Sequence, residues 1–149
     1  KTAYYKVQIC LRKMLLKNLP LIFENKVKAI KQDHTKATYY PKRTPKDGVI
    51  RWSKPTNEIY NLIRGSDPSP GANTLWNQKS IYLFSTSFES SNHDKPPGTV
   101  TKISDESFSL SVSGGIITIG RVKVDREAKI MAADFVKSHK LKIGDRFGL

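Results

Sequence analysis

Cysteine occurs once in this chain, at Cys10, which excludes an internal disulfide and a zinc site built on cysteines. No stretch approaches the roughly 18 consecutive apolar residues that a membrane span requires, and nothing resembles a secretion signal. No membrane partner is therefore expected, and the cytoplasm is the default compartment. Acidic residues are scarce, 13 against 26 Lys and Arg, for a net charge of +13. Apolar residues make up 38% of the 149. That share is low for a compact globule, so part of the chain is expected to lie extended over a surface. The remainder suits one ordinary domain, or a small domain with an arm. There is no internal repeat. The first residue is Lys1 rather than methionine, which fits a piece of a longer protein.

The positive charge is concentrated in residues 1–64, which carry 15 Lys and Arg against Glu24, Asp33, Asp47 and Glu58; residues 65–149 carry 11 against nine. A basic half attracts polyanions, because each phosphate it neutralises releases condensed counterions. Lysine outnumbers arginine 19 to seven, as a general bias toward lysine would produce, and such lysines commonly solvate a surface. Charge alone leaves both readings open. The best basic-plus-aromatic cluster is Lys42, Arg43, Lys46 and Arg51 beside Tyr39, Tyr40 and Trp52. Cations can hold phosphates while rings stack on bases. The competing reading has the rings pinning an extended arm onto a domain while the cations face water, and for the rings it is preferred.

Periodicity places the elements. From Thr2 to about Val27, Val7, Leu11, Met14 or Leu15, Leu19 and Ile22 recur every three or four residues along one helical stripe. A kink or break is expected near Leu19, because Pro20 lacks an amide proton and crowds the preceding turn; Leu21-Ile22-Phe23 could restart a second helix. So apolar a helix calls for a partner surface. Residues 28–56 read as extended, with turn chemistry in Thr44-Pro45-Lys46-Asp47-Gly48 and a brief strand or clamp at Val49-Ile50-Arg51-Trp52, where Trp52 is a buried anchor. Ser53, Pro55 and Glu58 signal a helix start; Ile59, Leu62 and Ile63 face inward and Gly65 ends it. Pro68, Pro70 and Gly71 then stiffen the loop.

Beyond Ala72 the period becomes two. Thr74-Leu75-Trp76 and Ser80 to Phe84 flank a hairpin loop at Asn77-Gln78-Lys79, and Thr99 to Ile103 forms another strand. Phe108, Leu110 and Val112 alternate with Ser107, Ser109, Ser111 and Ser113, the pattern of a sheet with one face in water. Gly114-Gly115 turns the chain, Ile116 to Val124 follows with a bulge or bend at Gly120, and Asp125 is placed as the cap of a final helix over Ala128–His139. Several short strands with a helix suggest an α+β chain ending in a small closed or half-open barrel of the oligonucleotide-binding (OB) type, since closure hides strand edges.

Chemistry is sparse. His34, His93 and His139 stand apart, with no second histidine or carboxylate at metal-ligand spacing and no nucleophile motif nearby. Cys10, among Ile9, Leu11 and Met14, reads as a buried structural thiol. Gly114-Gly115 and Pro70-Gly71 lack the lysine and the strand-to-helix setting of a phosphate loop. No catalytic residue and no metal site is assigned.

One resemblance runs nearly the whole length. Lys31-Gln32-Asp33, Ala37 to Arg43, Asp47-Gly48-Val49-Ile50-Arg51-Trp52-Ser53, Ile59 to Gly65 and Pro68-Ser69-Pro70-Gly71-Ala72 follow one another as in the segment joining the two halves of methionyl-tRNA formyltransferases and their relatives. The opening helix, with Leu11-Arg12-Lys13-Met14 and Leu19-Pro20, is similar to the last helix before that linker. Lys129 to Val136 and Leu141 to Gly148 resemble the tail of the tRNA enzymes.

The resemblance implies a helical segment over 1–32 from the end of a catalytic domain, a linker with a short helix over 33–71, and an OB-like carboxy-terminal domain over 72–149. It implies, for a parent enzyme, transfer of a formyl group from formyltetrahydrofolate to an amine on an amino-terminal Rossmann-like domain carrying an Asn-His-Asp constellation. No residue here matches that constellation, so the chain is expected to bind no cofactor and to be inactive alone, serving to dock the catalytic domain and position the acceptor. It makes tRNA a candidate partner, Lys42, Arg43, Lys46 and Arg51 the candidate nucleic-acid contacts, and Trp52, Pro70 and Gly71 structural anchors. Arg51 stands where the family usually has an acid or amide, and the barrel is only mildly basic. Sugar-nucleotide formyltransferases and formyltetrahydrofolate hydrolases share the Trp and Pro-Gly-Ala signatures and remain alternatives, as does a stand-alone RNA-binding module.

Overall fold

The computed structural model describes residues 2–148. They divide into two compact units, one reaching Tyr40 and the other beginning at Pro41.

The first unit holds one helix, α1, from Thr2 to Phe23. Pro20 does not break it. Beyond Pro20 the helix is closed by two backbone bonds, Lys26 N–H to the Leu21 carbonyl at 2.9 Å and Asn25 N–H to the Ile22 carbonyl at 3.1 Å, with Asn25 at a positive φ of 51°. That is the left-handed helix end of a Schellman motif, and only three helical residues follow Pro20 before it, so the proline forgoes one amide bond without ending the helix. Leu21-Ile22-Phe23 therefore finishes α1 instead of opening a second helix. No side chain of α1 is buried, including the Val7, Leu11 and Ile22 stripe. Cys10 is exposed, not buried as its neighbours suggested, because nothing within this unit covers the stripe. Tyr39 and Tyr40 are exposed as well. In the stretch between, a short 3-10 turn at His34–Lys36 is capped by Asp33, whose Oδ1 accepts from the Thr35 amide and hydroxyl.

The second unit is an antiparallel sheet with two helices. Its strands are β1 (Ala72–Trp76), β2 (Lys79–Ser90), β3 (Val100–Ile103), β4 (Phe108–Val112), β5 (Gly115–Val124) and β6 (Ile130–Met131). The order is β1-β2-β5-β4-β3, with β6 also on β5. The β1–β2 loop is Asn77-Gln78 alone, both at positive φ (46° and 63°), as a two-residue primed turn demands; Lys79 already pairs with Trp76. At Gly120 no residue is inserted, and β5 keeps one register with β2 on either side of it. The glycine faces Ser85, itself at φ 52°, and a Cβ there would come within 2.9 Å of the Ser85 carbonyl oxygen.

Three expectations need correction. The sheet is open, not a closed barrel: β1 and β3 are not paired with each other. The terminal segment instead bonds to both of them, Gly148 N–H to the Leu75 carbonyl and Val100 N–H to the Asp145 carbonyl. Secondly, all five residues of β4 are buried. It lies between β3 and β5, and its serines face polar cover in place of water: Ser111 Oγ reaches the Pro96 carbonyl at 2.6 Å and Ser109 Oγ the Thr118 hydroxyl at 3.0 Å. Thirdly, the last helix, α3, starts at Ala132, not Ala128. Ile130 and Met131 pair with Val122 and Arg121, and Asp125 turns the chain at a positive φ instead of capping the helix.

The core fills the sheet's inner side. Phe108, Phe135 and Phe147 are fully buried and Trp76 nearly so, with Phe108 and Phe147 stacked at 5.6 Å and Trp76 set edge-on to Phe135 at 5.1 Å. Each such ring removed from water is worth about 2–3 kcal/mol. The helix α2 (Thr56–Ser66) adds Ile59 and Ile63, both buried; it runs one residue past Gly65.

Candidate nucleic-acid interface

Residues 41–56 are fastened onto the sheet, and the fastening decides which side chains point out. Ile50 N–H donates to the Asn73 carbonyl at 2.8 Å, and Asn73 Nδ2 donates to the Pro45 carbonyl at 2.9 Å. In place of a strand there is one parallel bridge, Val49 with Asn73. Gly48 passes so close to β1 that a Cβ would meet the Gly71 carbonyl oxygen at 2.6 Å. Ile50 and Trp52 are buried, and the Trp52 indole N–H donates to Thr74 Oγ1 at 2.9 Å. Arg51, between two inward side chains, is thereby turned to solvent.

The turn before it is held by Asp47, which accepts from the Thr44 amide at 2.7 Å and hydroxyl at 2.8 Å. Those bonds, amide first, with nearby Arg43 assisting, hold the Asp47 carboxyl below its ordinary range. Arg43 extends from this turn to α2, where Nη1 donates to the Gly65 carbonyl at 3.0 Å. A cation on the last turn of a helix also suits the negative end of its dipole.

These elements enclose a groove of about 450 Å³ lined by Arg43, Val49, Arg51, Lys54, Glu58, Ile59, Asn61 and Leu62. Lys54 pairs with Glu58 at 3.3 Å, one helical turn apart, with both side chains about half exposed. Such a pair is worth less than about 1 kcal/mol, so an incoming phosphate can displace the carboxylate. Arg43 spends one donor on Gly65 and retains the rest of its fork. The groove suits phosphate or carboxylate oxygens.

Of the four cations named from sequence, Arg43 and Arg51 meet in this groove, whereas Lys42 and Lys46 are exposed outside its lining. Lys54 and Asn61 were not singled out. The i,i+4 spacing of Lys54 and Glu58 was the available signal, and it reads equally well as ordinary helix-surface pairing. Trp52 is buried, Pro70 half-buried, and Gly71, at φ +88°, would place a Cβ 2.9 Å from the Phe84 ring.

The histidines converge on nothing. His34 is exposed, His93 Nε2 lies 2.7 Å from the Gly115 carbonyl, and His139 stacks on Phe135 at 4.5 Å. Among the described residues no group of three His, Cys, Asp or Glu could hold a metal, and no helix is long and apolar enough to cross a membrane.

A family model described as the formyl transferase C-terminal domain matches residues 42–140, which include the whole groove. The chain belongs to this family. Among curated relatives, the methionyl-tRNA formyltransferase of Syntrophus aciditrophicus is 29% identical over 135 residues, 91% of this chain and 43% of the relative. That of Bacillus velezensis is 32% identical over 150 residues, covering 99% and 47%. This member of the family thus spans about half the length of the curated relatives it matches. Solved structures of HypX from Aquifex aeolicus share its fold. One superposes with a TM-score of 0.76 at 20% identity over 91% of this chain and 25% of that one. Another, a complex with tetrahydrofolic acid, gives 0.74 at 18% identity over 89% and 24%. The groove lining has no aromatic face to hold a pterin ring and does not fit the formyl donor that the family implies.

Proposed function

We propose that this chain is the carboxy-terminal part of a methionyl-tRNA formyltransferase, acting in the cytoplasm, which docks an amino-terminal Rossmann-like catalytic domain and positions tRNA for formyl transfer from formyltetrahydrofolate. The divisions of labour follow the sequence: 1–32 belongs with the catalytic domain, 33–71 is the linker, and 72–149 is an OB-like module whose open sheet is spanned by the terminal segment. Lys42, Arg43, Lys46 and Arg51 contact nucleic acid, while Trp52, Pro70 and Gly71 anchor the linker.

The observation that carries the acceptor role is the groove itself, in which Arg43, Arg51 and Lys54 face one open space with a single acid, Glu58, among them. The names of the relatives and the charge of the first 64 residues support it. Positioning matters energetically: holding two substrates together removes an encounter entropy of roughly several kcal/mol from the barrier.

The test uses the complete protein. Formyl transfer to methionyl-tRNA is expected, with the Arg43→Ala, Arg51→Ala double variant raising KM for tRNA while leaving kcat within about twofold, the signature of lost binding shared by ground and transition states. Turnover of an amino-sugar nucleotide in preference to methionyl-tRNA would replace this reading with the sugar-nucleotide alternative. An unchanged KM in the double variant would remove the groove from acceptor binding.

A further inference from the structure

The sheet covers its margins with other parts of the chain, except along the far half of β2. The outer side of β1 receives Ile50 N–H at the Asn73 carbonyl and Gly148 N–H at the Leu75 carbonyl. β3 is bonded to the terminal segment through Val100 N–H to the Asp145 carbonyl and Gly144 N–H to the Val100 carbonyl. β5 has β2 on one side and β4 or β6 on the other. β2 runs from Lys79 to Ser90, but β1 pairs with it only as far as Leu83. Thr86 to Ser90 therefore pair with β5 alone, and among the described residues no further backbone group bonds to them. Backbone amides and carbonyls left along a strand edge are a template for another strand, and proteins usually guard such an edge with lysine or proline. Here there is neither. Ser80 to Asp94 contain no Lys or Arg, although the chain has 26 of them, and Ser87, Glu89 and Ser90 are exposed.

We propose that this margin is an interface between two copies of the chain, independent of what the cationic groove holds. Each copy lays Thr86–Ser90 antiparallel against the other about a two-fold axis at Phe88, the isologous arrangement commonest among homodimers. The segment is self-complementary in that register. Phe88 lies opposite its own copy, Thr86 opposite Ser90, and Ser87 opposite Glu89. Glu89, the one charge in the segment, thus meets a hydroxyl that can donate to it and not a second carboxylate. The charge distribution favours a second copy as the occupant. At +13 the chain repels itself over most of its surface, whereas Thr86–Ser90 and the part of β5 paired with them, Gly115 to Ile119, bring no cation to the approach.

The experiment weighs this 149-residue chain by sedimentation equilibrium from micromolar to millimolar concentration. A reversible monomer–dimer equilibrium is expected, with the amides of Thr86–Ser90 exchanging more slowly as the dimer fills. Ser87 is exposed, so substitutions there test the register without disturbing the core. Ser87→Lys sets a cation against the partner's Glu89 twice per dimer and should tighten association about 2- to 30-fold, the worth of two cross-strand charge pairs. Ser87→Glu opposes like charges twice and should weaken it by a similar factor. Net charge alone predicts the reverse order, because lysine adds to +13 and glutamate subtracts from it. Leu11→Glu, on the exposed stripe of α1, should leave the equilibrium as it is in the parent. A monomer at every concentration, association indifferent to the charge at position 87, or a dimer abolished by Leu11→Glu would each overturn the inference. So would the complete protein if it stayed monomeric with the Thr86–Ser90 amides already protected, since a strand of its own would then fill the margin.

Discussion

Gly98 lies against the Trp52 indole with no room for a side chain: a Cβ would stand 3.3 Å from Trp52 Cγ and 2.6 Å from the Phe147 carbonyl oxygen. Gly98 has φ +85° and is held at both ends, its N–H by the Ser111 carbonyl and its carbonyl by the Phe147 N–H. Gly98→Ala therefore combines a left-handed backbone with overpacking, and a loss of about 2–4 kcal/mol is expected. Gly148, at φ +89°, crowds the same indole, a built Cβ standing 2.5 Å from Cδ1, and Gly148→Ala is expected to cost about 2–4 kcal/mol as well. Urea unfolding midpoints check both; a midpoint for Gly98→Ala equal to the parent's would show that Trp52 is not clamped as described.

The linker's inward and outward sides were legible because Ile50 and Trp52 alternate with Arg51, and alternation needs no knowledge of what lies opposite. The cover over β4 was not. Ser109 and Ser111 look the same in sequence whether they meet water or a polar neighbour; the Thr118 hydroxyl of β5 meets Ser109, and the loop at Pro96 to Thr99, twelve or more residues away, meets Ser111. Pro20 misled because one forgone amide bond does not end a helix whose C-terminus is set further on, at Asn25 and Lys26. Lys54 joined the groove through the fold of residues 43–51 against α2, a relation that spacing along one helix does not carry.

Asp47 gives the linker turn a pH dependence of definite sign. Hydrogen bonds from Thr44 lower its folded-state pKa below the unfolded value near 3.8. A group depressed in this way stabilises fully above that unfolded value, and the contribution is lost as pH falls through the lowered one. The Thr44 amide resonance should therefore hold its position at neutral pH and move only in strong acid, with a midpoint below that of an ordinary aspartate. In Asp47→Asn the acid transition should vanish. A Thr44 amide that shifts around pH 4 or above in the parent chain would contradict the bonded carboxylate.

Lys129 ties the proline loop to the sheet by a different means. Its ammonium lies 3.4 Å from the centroid of the Phe84 ring and 3.6 Å from Asp67 Oδ1, with both charged side chains about one-third exposed or less. Lys129→Met retains the packing of the stem and removes the charge, so the expected loss is about 1 kcal/mol, divided between ring and carboxylate. Salt should narrow the gap only in part, since the ring contact is the less screened of the two. Melting temperatures at low and high salt for Lys129→Met and Lys129→Arg decide it. A methionine variant as stable as the parent at both salts would leave the pair without energetic weight.

Ser111 and Ser113 differ by two positions and should differ in consequence. The Ser111 hydroxyl donates to the Pro96 carbonyl and accepts from the Thr99 N–H at 3.1 Å, in a fully buried site. Ser113 is exposed and uses its carbonyl, not its hydroxyl, to receive Thr56. Deleting a buried hydroxyl costs most when its partners are stranded. Here they are not wholly stranded, because the Pro96 carbonyl also accepts from the Thr99 hydroxyl at 2.7 Å and the Thr99 N–H has that same carbonyl at 3.3 Å. Ser111→Ala should accordingly cost about 1 kcal/mol, at the low end for a buried group, and Ser113→Ala should stay within about 0.5 kcal/mol of the parent. Hydrogen exchange at the Thr99 amide adds the local readout: faster exchange in Ser111→Ala, beyond what its lower global stability accounts for, locates the loss at the loop over β4. Uniformly faster exchange across the sheet would assign the cost to packing instead.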